Sequence, residues 1–346
     1  DGIPDMVQQL LPTMKKRDLE EGLQIACQFV RPSCVRLLVD ALSHFETVQF
    51  ETDSETGSEV TTATEASYLC SALQTITSCQ DGRTGFIVDP QRSEIVKLLI
   101  DGKADVTASN NREVTPLHGA SQNGYDTIVR QLIAAKANVN AKDISTCTPA
   151  TRAAESNHVD SLKALIQAKA DVDMACGNGW SPMISSAFAG HLDILQCLIQ
   201  CKADLDQEQH SGTTPVCMAA QKGHYEALLL LLQSKTDCNR CKHSGSSPLF
   251  MASQLGKTEN VGLLLKFKAD LHKRTNKQVQ PLYIAAKKGR TEIVALLLAA
   301  KANINATSSY GTALNAAHSA GHTDVVALIE AAKAKEKYND QSQWYE

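Results

Sequence analysis

The chain of 346 residues is 43% hydrophobic and 21% charged, and its formal net charge is −4. These values predict a large buried core and give no reason to expect nucleic acid as a bulk partner. No apolar run approaches the roughly 18–20 residues of a membrane-spanning helix, and the first residues show no signal-peptide pattern.

The eleven cysteines are an odd number without the spacing of a disulfide framework. A cytoplasmic or other reducing compartment is therefore the simpler expectation. Because the chain begins with Asp1 rather than methionine, an organelle interior after removal of a presequence stays open as the alternative.

The first 92 residues predict helices in an irregular arrangement. A short amphipathic helix is expected within residues 1–17. The apolar residues of 18–45 have the same spacing as those of a predicted helix pair near the C-terminus. We therefore expect two helices here, and the second should begin at Pro32. Residues 67–79 predict a further first helix, separated by an insertion at 80–91 from its partner. We therefore interpret residues 1–92 as an N-terminal cap of degenerate repeats.

An acidic segment interrupts this cap. Residues 46–66 contain six acidic side chains, no basic ones and many Ser and Thr. Such a composition favours a solvated loop, because it offers little apolar surface to bury. The alternative interpretation is an acidic contact arm.

A 33-residue pattern dominates the rest of the chain. Thr115-Pro116-Leu117-His118 is the first copy, and the last, at Thr312, arrives one residue early. The Thr or Ser can cap the first helix of each unit, and Pro tolerates the first turn. A Gly ends that helix, and a second helix with an apolar stripe follows. The intervening copies, each 33 residues after the last, are Thr148-Pro149, Ser181-Pro182, Thr214-Pro215, Ser247-Pro248 and Gln280-Pro281.

This pattern resembles the ankyrin-repeat family over roughly residues 93–332. The resemblance implies an all-α repeat protein, an ankyrin α-solenoid with a helix-turn-helix and a finger loop in each repeat. We expect about seven regular and two degenerate repeats, because each unit must stack on neighbours to bury its stripe. Residues 93–337 would hold the regular repeats and a C-terminal capping helix, and residues 338–346 a tail that carries Trp344 and Tyr345.

Two departures from the family pattern recur with the repeat. The family's histidine survives only as His118, which implies that its hydrogen-bond ladder is mostly lost. Lysine stands where the family usually has Gly after the second helix, either as a habit copied with the repeats or as a basic stripe for an acidic surface. The seven lysines are Lys103, Lys136, Lys169, Lys202, Lys235, Lys268 and Lys301.

The resemblance also implies where a partner binds. Ankyrin domains generally bind proteins on a concave face formed by fingers and first helices. The residue before each Thr-Pro should face that groove, as should the two residues after the alanine pair. Trp180 and Phe188 should then form an apolar anchor. The further candidates, mostly basic, are Lys222, Lys242, His243, Leu255, Lys277, Lys287 and Lys288.

Sites for chemistry are weak in this sequence. Cys238 and Cys241, with His243 nearby, resemble half of a zinc site, but a closed site needs four ligands and no second pair follows. No phosphate-binding glycine loop, nucleophile elbow or metalloprotease helix is present. We expect no metal, no cofactor and no catalysis.

The sequence therefore predicts a non-catalytic interaction scaffold or an accessory subunit of a hetero-complex. Its protein partner would present an apolar anchor and an acidic stretch. Two alternatives stay open: a regulatory or targeting region of a larger enzyme or channel, and a stand-alone inhibitor or adaptor.

Overall fold

A computed structural model describes residues 3–11, 14–29, 31–52, 67–78, 89–240 and 242–342. The regular secondary structure of these residues is almost entirely helical. The chain divides into two compact units, Asp1–Gly177 and Asn178–Glu346.

The first unit is built from antiparallel helix pairs. Its helices are α1 (Ile3–Leu10), α2 (Lys16–Gln28), α3 (Pro32–Thr52), α4 (Ser67–Ser78), α5 (Asp89–Asp101), α6 (Pro116–Asn123), α7 (Asp126–Ala134), α8 (Pro149–Glu155) and α9 (Val159–Gln167). The first helix of each pair packs on the next first helix, in the order α2, α4, α6, α8. The second helices pack on one another in the same way to form the other layer, in the order α3, α5, α7, α9, and α1 packs against α3.

The second unit repeats this arrangement. Its elements are α10 (Pro182–Ala189), α11 (Leu192–Gln200), α12 (Pro215–Lys222), α13 (Tyr225–Gln233), α14 (Pro248–Leu255), α15 (Thr258–Lys266), α16 (Pro281–Lys287), α17 (Thr291–Ala299), β1 (Thr307–Ser308), β2 (Gly311–Thr312), α18 (Ala313–Ala320) and α19 (Thr323–Ser342). Even-numbered helices from α10 to α18 form one layer, and odd-numbered helices from α11 to α19 the other. The all-α repeat architecture expected from the sequence is confirmed in both units.

The helix starts follow from the Thr-Pro and Ser-Pro dipeptides. In α8 the hydroxyl of Thr148 accepts a hydrogen bond from the backbone N–H of Thr151. Ser181 and Thr214 cap α10 and α12 in the same way. The first helices from α6 to α18 end at a left-handed residue, as at Gly124, where a Cβ would lie 2.3 Å from Nδ1 of His158. Only glycine fits there without a shift of the neighbouring imidazole.

The core lies between the two helix layers. In the second helix α7, the side chains of Ile128, Val129 and Leu132 are at most 1% exposed, and Leu117 of α6 is fully buried beside them. The three-and-four spacing of these residues places them on one helix face, which explains why the sequence stripe predicts burial.

The fingers, which are the loops that join each second helix to the next first helix, bond to one another. In the first unit the N–H of Ile144 donates to the carbonyl of Arg112, and in the second the N–H of His243 donates to Ser211 and that of Asn276 to Ser244. Backbone pairing between fingers therefore persists although the histidine of the family pattern is mostly replaced.

Asp143 fixes one finger of the first unit. Its buried carboxylate accepts the N–H groups of Ser145 and Cys147 and forms an ion pair with Arg152. Burial alone would raise the pKa of Asp143, but these hydrogen bonds outweigh it, so the pKa lies below its usual value. The finger is thus held by a charged group that stays ionised.

Some of the sequence predictions fall where the structure gives no description. Trp344, Tyr345 and residues 53–66 of the acidic segment lie outside the described residues. The helix α19 includes residues 338–342, which the sequence analysis assigns to the tail. Within the described part of the chain, no helix is long and apolar enough to cross a membrane.

Candidate functional site

Trp180 and Phe188 form an aromatic pair at the first helix of the second unit. Trp180 precedes the helix cap Ser181, and Phe188 lies in the last turn of α10. Their ring centroids are 5.0 Å apart and the ring planes meet at 72°, which is an edge-to-face contact. Phe188 is 36% exposed and Trp180 is partly exposed. The structure thus brings together the two aromatic residues that the sequence predicts as an anchor.

Lys222 completes this group. It is the last residue of α12, and its Nζ lies 3.9 Å from the centroid of the Phe188 ring. An ammonium over an aromatic face at an exposed site is stabilised by about 0.5–1 kcal/mol. We name Trp180, Phe188 and Lys222 the aromatic–lysine cluster. It presents an apolar surface with a positive charge held at its edge.

The finger that carries Lys242 is less basic than the sequence suggests. Glu208 of the preceding finger lies 2.6 Å from Nε of Arg240 and 3.9 Å from Nε2 of His243. Lys242 is half-buried and donates a hydrogen bond to Oε1 of Gln221, and its desolvation lowers its pKa. Glu208, which the sequence analysis does not single out, therefore offsets part of the predicted positive charge.

A second group of aromatic side chains surrounds a cleft about three repeats further along the same unit. Tyr283 and Tyr310 have ring centroids 6.5 Å apart, and Nζ of Lys287 lies 5.7 Å from the Tyr310 ring. The cleft has a volume of ≈ 490 Å³. We name it the tyrosine cleft, and its lining residues are Ser244, Ser246, Phe250, Gln254, Thr275, Asn276, Lys277, Val279, Tyr283, Ile284, Lys287 and Tyr310.

The predicted residues do not all belong to these two places. Lys277 and Lys287 line the tyrosine cleft. Leu255 is 42% exposed at the end of α14, and Lys288 is also exposed, but neither belongs to the cluster or to the cleft lining.

The residues before the Thr-Pro dipeptides are mostly buried, although Ser246 and Val279 still line the tyrosine cleft. Cys147, Thr213, Ser246 and Val279 are all less than 9% exposed. The backbone carbonyl of each accepts a hydrogen bond within its own finger, from the N–H of the residue four positions earlier. Trp180 stays partly exposed.

Sequence reasoning missed Tyr310, Tyr283 and Phe250 as site residues. Phe250 and Tyr283 occupy the position of the family histidine in two consecutive repeats, and by itself this replacement implies only the loss of a hydrogen bond. Two adjacent aromatic substitutions at one repeat position were the available signal. Tyr310 lies in the finger that is one residue shorter than the others. Its position therefore does not align with the groove positions of the 33-residue pattern.

The recurring lysines all adopt the left-handed conformation, with φ between 60° and 70°. All seven are exposed, but an exposed Asp follows two residues later in five of the repeats, as Asp204 follows Lys202. The edge therefore carries both signs of charge, which weakens the interpretation of a basic stripe.

The cysteines depart from the expectation of unpaired thiols. Cys147 and Cys176 form a disulfide that joins the fingers of consecutive repeats in the first unit. The physical reason is the finger pairing: residues 29 positions apart come together, as the N–H of Gly177 donates to the carbonyl of Ser145 nearby. Sequence spacing alone does not reveal this juxtaposition.

Within the described residues, no cluster of three or more His, Cys, Asp or Glu side chains is placed to hold a metal ion. Cys241, one half of the considered zinc pair, lies outside those residues. The thiol of Cys238 points to the carbonyl oxygen of Phe267, 3.6 Å away.

The comparison with protein-family models matches ankyrin repeats over residues 74–143, 150–242, 183–275, 217–308 and 249–341. A search of curated proteins found no match. The matched segments cover well over half of the chain and coincide with the stacked helix pairs. The chain belongs to the ankyrin-repeat family, whose members generally serve as protein–protein interaction modules.

Proposed function

We propose that this chain is a non-catalytic scaffold or accessory subunit that binds a partner protein through the second unit. The binding surface would be formed by the fingers and the last turns of the first helices, which we name the finger face. The aromatic–lysine cluster carries this proposal, because it places a partly exposed aromatic pair beside a fixed cation.

Aromatic side chains dominate the binding energy of protein interfaces when the partner can desolvate them. Two aromatic rings and an ammonium in contact are already ordered before binding, so little side-chain entropy is lost on association. Lys222 favours a carboxylate near the apolar anchor of the partner. The partner segment would thus be both apolar and acidic.

Affinity capture followed by mass spectrometry tests the proposal. The bait would be the full chain, either unchanged or with Trp180→Ala and Phe188→Ala together. A matched control is Leu192→Ala with Tyr225→Ala, which removes two apolar side chains with 36% and 37% exposure from the second helices of the same unit. We expect the principal partner to be lost only with the first double variant.

Retention of the same partner by both double variants would contradict the proposal. A regulatory or targeting region of a larger enzyme or channel is the second candidate, since ankyrin repeats generally serve as interaction modules. The intact mass of the native protein separates the two, since the second candidate requires a product much larger than 346 residues.

A further inference from the structure

The tyrosine cleft has the size and composition of a specific binding site. Its volume of ≈ 490 Å³ lies within the range of about 300–1,000 Å³ that is typical of pockets for defined ligands. Its apolar floor is formed by Phe250, Val279, Tyr283 and Ile284, each of which is 7% or 8% exposed. A side chain that enters the cleft would meet apolar surface rather than polar backbone.

One wall of the cleft is formed by an aromatic ring and a cation. Tyr310 is 54% exposed, and its ring lies near both the Tyr283 ring and Nζ of Lys287. An apolar side chain that inserted beside Tyr310 would bury much of this exposed ring. The ring thus supplies the area that a bound anchor would remove from water.

The rim of the cleft has a single sign of charge. Lys277 and Lys287 are its two charged lining residues, and neither Asp nor Glu is among the twelve residues of the lining. The remaining polar rim consists of neutral groups such as Gln254, Asn276 and Ser246. A carboxylate next to an inserted anchor would find two cations and no opposing charge.

We infer that the tyrosine cleft binds an acidic peptide segment of a partner protein, with one aromatic or aliphatic side chain inserted between Phe250, Tyr283 and Tyr310. This inference rests on the proposed function and assigns the chemistry of the recognised segment at a second place on the finger face. Acidic residues on both sides of the anchor pair with Lys277 and Lys287. The charge pattern makes binding sensitive to salt, because these cations are exposed.

The observations favour a peptide over single-stranded nucleic acid. Nucleic-acid grooves combine stacking rings with a continuous basic track along the backbone. Here two lysines flank one cleft, and Glu208 forms an ion pair with Arg240 in the neighbouring finger. The positive charge of the cleft lining is confined to these two lysines, as a short acidic motif requires.

Selection from a library of random dodecapeptides displayed on phage tests the inference with the full chain as the target. We expect enriched sequences to contain an aromatic or aliphatic residue flanked by Asp or Glu. An enriched peptide is then synthesised with a fluorescent label, and its affinity is measured by anisotropy against the unchanged chain and its variants.

Tyr310→Ala should weaken the peptide at least fivefold, and Tyr310→Phe should preserve binding within about twofold. Lys287→Glu should weaken it at least tenfold and flatten its salt dependence. Lys288→Glu is the matched control, because it makes the same charge change at an adjacent exposed residue outside the cleft lining, and it should have less than a threefold effect. Circular dichroism confirms that each variant is folded.

Three outcomes would overturn the inference: no enrichment, enrichment without acidic residues, or equal effects of Lys287→Glu and Lys288→Glu. Tighter binding of a labelled decauridylate than of the best peptide would overturn it in favour of nucleic acid. Peptide binding should survive Trp180→Ala with Phe188→Ala. If peptides bind but the Trp180 and Phe188 double variant captures the same partner, only the proposed function is wrong. If partner capture depends on the aromatic–lysine cluster but no peptide binds, only the cleft inference is wrong.

Discussion

At the scale of single residues, the lysines after the second helices carry an unusual backbone conformation. Lys169 has φ of 64°, a region in which a residue with a Cβ is strained by up to about 1–2 kcal/mol. A cation near a helix C-terminus returns about 0.3–1 kcal/mol. The lysine therefore offsets only part of the strain that glycine would avoid.

Substitution at Lys169 should show this strain directly. We expect Lys169→Gly to be more stable than Lys169→Ala by about 1 kcal/mol, because both lose the charge and only glycine relieves the left-handed backbone. Chemical denaturation of the two variants measures the difference.

Lys163 of the same repeat provides the control. It is exposed in the interior of α9, where the backbone is helical. There the order should reverse, with the Ala variant more stable by about 1 kcal/mol. If the same variant, Gly or Ala, were the more stable one at both sites, the left-handed conformation at Lys169 would not be the cause of the stability difference.

His118 is the residue whose protonation should affect stability. Its imidazole is 1% exposed, Nε2 lies 3.0 Å from the carbonyl oxygen of Cys147 and Nδ1 accepts from the N–H of Thr115. Burial lowers its pKa below the usual 6.5, although the bond to Cys147 acts in the opposite direction. The folded chain therefore holds this imidazole neutral.

The sign of the pH effect follows from this direction. Above about pH 6.5 the imidazole is neutral in both states, and its contribution to folding is complete. As the pH falls below that value, the unfolded chain binds a proton that the folded chain resists, so stability is lost by up to about 1.4 kcal/mol per pH unit.

His118→Thr should reduce this loss, since threonine occupies the equivalent position in the next repeat as Thr151. The measurement is the free energy of unfolding at pH 7.5 and pH 5.5 for both proteins. The variant should be less stable at pH 7.5 but should lose less on acidification. The same acid loss in both proteins would contradict the role of His118.

At the scale of elements, the helices were predictable and the finger contacts were not. Each helix start follows from a local signal, such as Ser181 before Pro182, and each second helix from a stripe such as Ile128, Val129 and Leu132. These signals act within a few residues of chain. The cleft depends instead on a contact between Tyr310 and Tyr283, which are 27 residues apart in the sequence. No local sequence pattern predicts that contact.

The disulfide between Cys147 and Cys176 is the clearest contact that only finger pairing creates. A bridge that closes a loop of this length typically stabilises the folded state by about 2–4 kcal/mol. Cys147→Ser with Cys176→Ser should therefore lower the free energy of unfolding by that amount.

Peptide mapping without reduction tests the pairing itself. We expect a proteolytic product that links the segments of Cys147 and Cys176 and separates after treatment with a dithiol. Recovery of both residues as alkylated free cysteines from protein kept in air would show that they are not bonded.

At the scale of the whole molecule, the ankyrin repeats form stacked helix pairs, and the proposed interaction surface depends on a few exposed side chains. The family and its helix pairs were evident from the 33-residue period, and the aromatic pair Trp180 and Phe188 was found from repeat phase. The charge of the surface was less predictable, because Glu208 comes from a different finger than Arg240 and His243. The position of a residue within its repeat predicts the face on which it lies, but it does not identify the side chain of the next repeat that contacts it.

The affinity of the captured partner, measured by isothermal titration calorimetry, tests the central claim most directly. The account predicts that Trp180→Ala with Phe188→Ala weakens binding at least tenfold, since loss of two central aromatic side chains costs about 2 kcal/mol or more. It also predicts that Leu192→Ala with Tyr225→Ala changes the affinity less than threefold. Equal affinities of the unchanged chain and the Trp180 and Phe188 variant, with both proteins folded, would contradict the account.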